Sequence, residues 1–292
     1  MISQSPNLTC EQACKVVQDE YGLVVTAEAL PSERDQNFRL QAEDGRSFVL
    51  KIANGEEDRS FLEAQNQVMA KLREQKVAYC PQLMQTQSGS DFFEVDANES
   101  TYAGRLITWL SGEVLAHCQW QGTDLLCHLG ACVAEVDDAL KGFDHVAMHR
   151  GDFAWDLANA TAVIDLHLDQ VEDSGIRQQI DAVRENLAEY VEPRLLRLEQ
   201  SVIHNDANDH NVIVQSPAID RQQVVGLIDF GDMVHSYTVC GLAIAVAYAM
   251  LDKTDPLQAA MRIVEGYHVV RPLTEDELAV VFPMACGRLA VS

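Results

Sequence analysis

His204-Asn205-Asp206-Ala207-Asn208-Asp209-His210-Asn211 runs directly into Val212-Ile213-Val214. After a polar turn at Asp220-Arg221 the chain continues Val224-Val225-Gly226-Leu227-Ile228-Asp229-Phe230-Gly231-Asp232. The two apolar runs, residues 211–214 and 224–228, are short and rich in β-branched residues, so they read as a strand pair. The first cluster has the form H-x-D-x-x-x-x-N, and the second closes a strand with D-F-G-D. Phosphoryl transfer from a nucleotide needs these groups. One carboxylate orients and deprotonates the attacking hydroxyl, while an amide oxygen and a second carboxylate hold magnesium against the phosphates. Asp206 fits the base, with Asn211 and Asp229 as metal ligands. His204 reads as a residue that bonds the loop backbone rather than one that carries a proton.

On either side of this hairpin the apolar spacing is helical. Leu126, Leu129, Val133, Val136 and Leu140 fall three and four apart, as do Ile176, Ile180, Val183 and Leu187. Val239 to Leu251 is the longest apolar run and reads as a buried helix. It is shorter than the roughly 18 residues that indicate a membrane span.

Upstream of Ser111-Gly112 the period changes. Thr9, with Gln12 three residues on, has capping-box spacing for a helix that Gly22 ends. Strands follow at 23–26, 38–41, 48–52, 92–95 and 105–110, with a hairpin turn at Asp44-Gly45 and one helix over 58–74. Alternation puts Lys51 on the face of Val49 and opposite Leu50. A lysine on such a strand fits the cation that pairs with the α- and β-phosphates. The chain therefore reads as α+β, with a β-rich part at 1–110 and a mainly helical part at 111–292 that contains the hairpin.

Composition narrows the partners. Of 292 residues, 45 are acidic and 21 basic, a net charge of −24. Such a chain repels phosphate backbones and anionic lipid, which argues against nucleic acid and membrane surfaces. The eight cysteines contain no C-x-x-C pair and the N-terminus has no secretion signal, so the expectation is a cytoplasmic protein with reduced thiols.

The chain resembles the aminoglycoside phosphotransferase and choline kinase superfamily, and within it the hydroxylysine kinase group. The stretches that carry the resemblance are residues 30–38, Glu63-Ala64-Gln65-Asn66, His149-Arg150 with Trp155-Asp156-Leu157, Asn205-Asp206 with Asn208-Asp209-His210-Asn211, and residues 227–233. They occur in order over almost the whole chain.

The resemblance implies a protein-kinase-like bilobal fold, with nucleotide bound by 1–110 and catalysis and acceptor binding in 111–292. It implies a kinase that transfers the γ-phosphate of ATP or GTP, with Mg²⁺, to a hydroxyl of a small amino alcohol or hydroxy amino acid. On that basis the loop Ser32 to Asn37, which contains no glycine, covers the phosphates through side chains such as Ser32 and Asn37. Glu63 is the expected carboxylate partner of Lys51, with Gln65 close to the same position. Trp109-Leu110 falls where the base edge meets main chain. Arg150 and Asp209 are candidates for the acceptor, and Asp232 for either the metal or the acceptor amine. Arg150 suits either a substrate carboxylate or an ion pair with Asp156.

The resemblance also admits fusion to, or association with, a class III aminotransferase. The alternatives are a nucleotide-binding regulatory module without turnover and an aminoglycoside phosphotransferase. Val280 to Ser292 reads as an apolar helix with no closing cap, so the expectation is a chain truncated at its C-terminus.

Overall fold

Thr9 caps the first helix as its spacing predicts. Its side chain accepts from the Gln12 amide, and the Gln12 side chain accepts from the Thr9 amide. The structure is a computed structural model and describes residues 6–32, 34–97, 100–118, 121–215 and 222–292. The expected turn at Asp220-Arg221 lies outside the described residues, as does Glu33. Two compact units form, residues 1–73 with 80–110 and residues 74–79 with 111–292.

In the first unit, α1 (Cys10–Tyr21) precedes β1 (Val25–Leu30), β2 (Gln36–Ala42), β3 (Ser47–Ile52), α2 (Arg59–Glu74), β4 (Leu83–Met84), β5 (Phe93–Ala97) and β6 (Ser100–Thr108). The strands form one antiparallel sheet. β1, β2, β3 and β6 run in that order, and β4 and β5 share the far side of β6. Alternation sorts the two faces. Phe38, Leu40, Phe48, Leu50, Ile52 and Leu106 are buried in one cluster with Ala13 and Val17 of α1. Each such fully buried large side chain stabilises by roughly 1.5–3 kcal/mol.

The opposite face carries the polar set. Asn37 is paired with Lys51, and Lys51 with Arg105, so the three are cross-strand neighbours. Helix α2 supplies that face with amides. Arg105 is buried, donates to Asn66 Oδ1 at 2.7 Å and to the Leu62 carbonyl at 3.4 Å, and also bonds Gln65 Oε1.

The second unit contains β7 (Glu113–Val114), α3 (Thr123–Leu140), α4 (Ala160–His167), α5 (Ser174–Asn186), α6 (Glu192–Leu195), β8 (Gln200–Ile203), β9 (Val212–Val214), β10 (Val224–Leu227), β11 (Val234–Tyr237), α7 (Val239–Met250), α8 (Pro256–Val270) and α9 (Glu275–Val291). Helix α7 is the apolar run of the sequence, buried at every residue but Tyr248 and packed by α3, α8 and α9. Helices α3 and α8 touch backbone to backbone. A Cβ on Gly130 would lie 1.9 Å from the Ile263 carbonyl oxygen, and one on Gly266 1.8 Å from that of Cys127. No helix among the described residues is long and apolar enough to cross a membrane.

Two antiparallel ladders position the chemistry. β9 pairs with β10, and β8 with β11. The chain passes from the second ladder to the first through residues 204–211, and back again through 228–233. Both connecting loops join the same two ladders, so they run side by side.

Candidate active site

One main-chain bond and one side-chain bond fix the loops to each other. The Ile228 amide donates to the Asn211 carbonyl at 2.9 Å. His204 bonds the Ile228 carbonyl through Nε2 at 3.1 Å, and its Nδ1 accepts the Asp206 amide at 3.3 Å. That pair of bonds defines a neutral imidazole with its proton on Nε2. Burial pushes the His204 pKa down to about 4, so the ring is neutral at pH 7. It packs edge-on to Phe230, with ring centroids 4.7 Å apart. The residue thus bonds loop backbone, as the sequence suggests.

Asp206 sits at the centre. Its neighbour Asn205 is buried at φ 62°, a left-handed conformation that Asn tolerates better than most residues. Asn205 Nδ2 donates to the carbonyls of Trp155 at 3.2 Å and Asp232 at 3.1 Å. The Asp206 carboxylate collects three donors. Oδ1 accepts from Asn208 Nδ2 at 3.0 Å and from Arg288 Nη2 at 3.1 Å, and Oδ2 accepts from Asn211 Nδ2 at 2.6 Å. Burial raises its pKa above the ordinary carboxyl value, while Arg288 and the two amides pull the other way.

The donor set suits a divalent cation. Asn211 Nδ2 spends its hydrogens on Asp206, donating to the carbonyl at 3.0 Å and to Oδ2 at 2.6 Å. The amide is therefore held in one orientation, with its oxygen as the ligand atom it offers. Asp229 is at φ 64°, ψ 82°, and its carboxylate accepts from the Gly231 amide at 3.3 Å. A left-handed Asp costs about 1–3 kcal/mol and persists only where the surrounding structure over-determines it, and such strain gathers at functional sites. An amide oxygen and a carboxylate on paired loops are hard ligands of the kind magnesium takes.

The remaining candidates of this unit lie around the same loops. Arg150 Nη1 donates to the carbonyls of Met233 at 3.3 Å and Gly231 at 3.5 Å, and its guanidinium lies 3.5 Å from the Phe153 ring centroid. Asp156, the ion-pair partner considered for it, accepts from Ser236 Oγ at 2.6 Å and from the Ala158 amide at 3.0 Å. Arg150 therefore braces the turn that carries Asp229 and Asp232. The Asp209 carbonyl accepts the Ala116 amide at 2.9 Å.

In the first unit, Lys51 is half-buried beside Arg105 and shares a small cleft with Asp35 and Phe92. Asn37 Oδ1 is buried with no hydrogen bond among the described residues, and Ser32 is exposed. Glu63 is half-exposed in an ion pair with Arg59 at 3.4 Å, one helical turn away. The α2 residues turned to the sheet are Gln65 and Asn66, and the partner they hold is Arg105. Trp109 donates its amide to the Ser47 carbonyl at 3.0 Å and stacks under Arg39 at 4.5 Å, and Leu110 follows at the unit's end.

Sequence reasoning missed Arg105 and Arg288. Each is an arginine in an apolar run, and a buried guanidinium must find acceptors. That signal was available, but it does not name the acceptors.

The sequence profile of the Phosphotransferase enzyme family matches residues 26–278. Hydroxylysine kinase of Mus musculus is 30% identical over 313 residues, covering 99% of this chain and 82% of that protein. Among solved structures, amicoumacin kinase hAmiN in complex with AMP-PNP, Ca²⁺ and Ami superposes with a TM-score of 0.71 at 13% identity, covering 96% of this chain and 84% of that one. A microcompartment-associated aminopropanol kinase gives 0.71 at 14% identity, covering 96% and 87%. The fold is the α+β fold of these kinases, an antiparallel sheet followed by a helical region. The chain belongs to the Phosphotransferase enzyme family and is a small-molecule phosphotransferase.

Proposed function

We propose that this phosphotransferase is a kinase that moves the γ-phosphate of ATP or GTP to a hydroxyl of a small amino-bearing acceptor, hydroxylysine or a related amino alcohol. The observation that carries the reading is the Asp206 carboxylate, held by three donors in a loop bonded to the one bearing Asp229. The identity to a hydroxylysine kinase over nearly the full chain supports the acceptor class. The charge of −24 favours a cationic acceptor.

In this reading Asp206 accepts a hydrogen bond from the acceptor hydroxyl and aims its oxygen at the γ-phosphorus. As the new O–P bond forms and the bond to the β-phosphate oxygen breaks, the hydroxyl proton passes to Asp206. Lys51 pairs with the α- and β-phosphates, and Ser32 and Asn37 contact the phosphates from the preceding loop. The main chain at Trp109-Leu110 meets the base edge. Mg²⁺, held by Asn211 Oδ1 and Asp229, supplies charge neutralisation at the phosphates when bound. Asp232 meets the metal or the acceptor's ammonium. Positioning and electrostatics account for most of the rate in such a site. The cysteine pattern supports a cytoplasmic setting.

A γ-phosphate transfer assay with ATP and with GTP tests this over 5-hydroxylysine, 1-amino-2-propanol, ethanolamine and an aminoglycoside. Transfer to one of the amino alcohols is expected. Transfer to none of them with either nucleotide would sink the reading.

A further inference from the structure

Arg288 lies in the last turn of α9, where a cation also complements the helix dipole. Its side chain is 4% exposed. The three nitrogens of its guanidinium reach three separate parts of the second unit. Nε donates to Tyr248 Oη at 3.2 Å, Nη1 to the Trp155 carbonyl at 3.3 Å, and Nη2 to Asp206 Oδ1 at 3.1 Å. The rings of Trp155 and Tyr248 lie 4.8 Å and 5.6 Å from its central carbon. A planar fork held this way is fixed through all three of its nitrogens.

The Trp155 carbonyl also accepts from Asn205 Nδ2. One oxygen therefore anchors both ends of the base. Asn205 ties down the main chain just before Asp206, and Arg288 ties down its carboxylate. An ionised carboxylate offers about four lone-pair sites. Arg288 and Asn208 take those of Oδ1, and Asn211 takes one of Oδ2, which leaves one site on Oδ2.

We propose that Arg288 is a positioning residue for phosphoryl transfer, fixing the Asp206 carboxylate so that the acceptor hydroxyl docks on the remaining site of Oδ2. The inference rests on the kinase reading. Misplacing a reacting group by about 1 Å costs on the order of 100-fold. An interaction realised in the transition state lowers kcat and kcat/KM together.

The test is Arg288→Ala in the full chain, assayed at saturating acceptor with magnesium nucleotide, with and without guanidinium ion. Wild-type and Asp206→Asn proteins run beside it. Expected are a kcat loss of about 100-fold, a magnesium-nucleotide Kd unchanged within about twofold, and recovery of at least about tenfold in kcat on adding guanidinium but not urea. Arg288→Lys, which keeps the charge but not the fork, is expected to fall between wild type and Arg288→Ala. A kcat within about threefold of wild type overturns the proposal. So does a loss that guanidinium does not restore, or one accompanied by loss of nucleotide binding, since either assigns Arg288 to folding alone. Full activity in Asp206→Asn defeats the kinase assignment of Asp206 instead, whatever Arg288 does.

Discussion

The Asn211 carbonyl accepts the Ile228 amide at 2.9 Å, a bond that carries the ladder of β9 and β10 one step beyond its last paired strand residues. It places the proposed ligand Asn211 opposite the residue before Asp229. From that point Asp229 turns left-handed and presents its carboxylate to the same side as the Gly231 amide. The main chains that carry the two proposed ligands are thus held together by a backbone bond.

Asp206→Asn keeps the shape of the site and removes the proposed proton acceptor. Turnover should fall about 10²–10⁴-fold. Magnesium-nucleotide affinity, measured by calorimetry, should stay within about twofold. An active variant would remove Asp206 from the base role.

Asp229→Ala deletes the anionic ligand proposed to hold the cation together with Asn211. The magnesium concentration for half-maximal activity should rise at least about tenfold, because a neutral amide and water bind a hard cation weakly. The His204–Ile228 bond involves no Asp229 side-chain atom, so the loops should keep their pairing. An unchanged magnesium titration would show that the cation is held elsewhere.

Asp137 gives a pH signature in stability. It is wholly buried, accepts from Tyr267 Oη at 2.7 Å, and has its pKa pushed up to about 7, mainly by burial, with Tyr267 and Arg271 opposing and Asp138 and Glu277 adding to the rise. The folded pKa lies above the unfolded one. This group's contribution is therefore full below about pH 4, fades as pH rises toward 7 and is absent above, up to roughly 4 kcal/mol in all. Asp137→Asn should flatten that slope, so urea melts at pH 5 and pH 8 should differ less than in wild type. Equal differences would contradict the assignment.

Gly266→Ala sets two effects against each other. Helix propensity favours Ala by about 1 kcal/mol. The added Cβ would lie 1.8 Å from a backbone oxygen that cannot step aside alone. Overpacking of this kind costs about 1–3 kcal/mol or more, so net destabilisation is expected in urea melts. Gly151→Ala, in a turn where a Cβ meets nothing within 4 Å, is a control for the steric effect and should stay near wild type.

Much of this was legible along the chain. The Thr9–Gln12 cap, the Asp44-Gly45 turn, the buried helix over 239–250 and the strand pair between the two acidic clusters follow from signals within a few residues. Strand alternation alone places Lys51 opposite Leu50, and Leu50 is buried in the apolar cluster. Propensity, period and capping act locally, so they survive reading in one dimension.

What the sequence by itself determined was the change from a β-rich to a helical part, the β9–β10 hairpin and the chemical types presented by residues 204–211 and 228–232; the β8–β11 ladder that holds the other ends of both loops was not read from it. The tertiary structure alone decided which partners the buried charges meet. Glu63 turns to Arg59 while Gln65 and Asn66 take Arg105, because the α2 face toward the sheet is set by packing. Arg150 braces the 231–233 main chain. Asp206 and Arg288 lie 82 residues apart and pair only because α9 packs beside the 204–211 loop. No local periodicity encodes that contact. A buried charge selects its partner by proximity in the finished fold, since only there is the cost of leaving it unpaired felt.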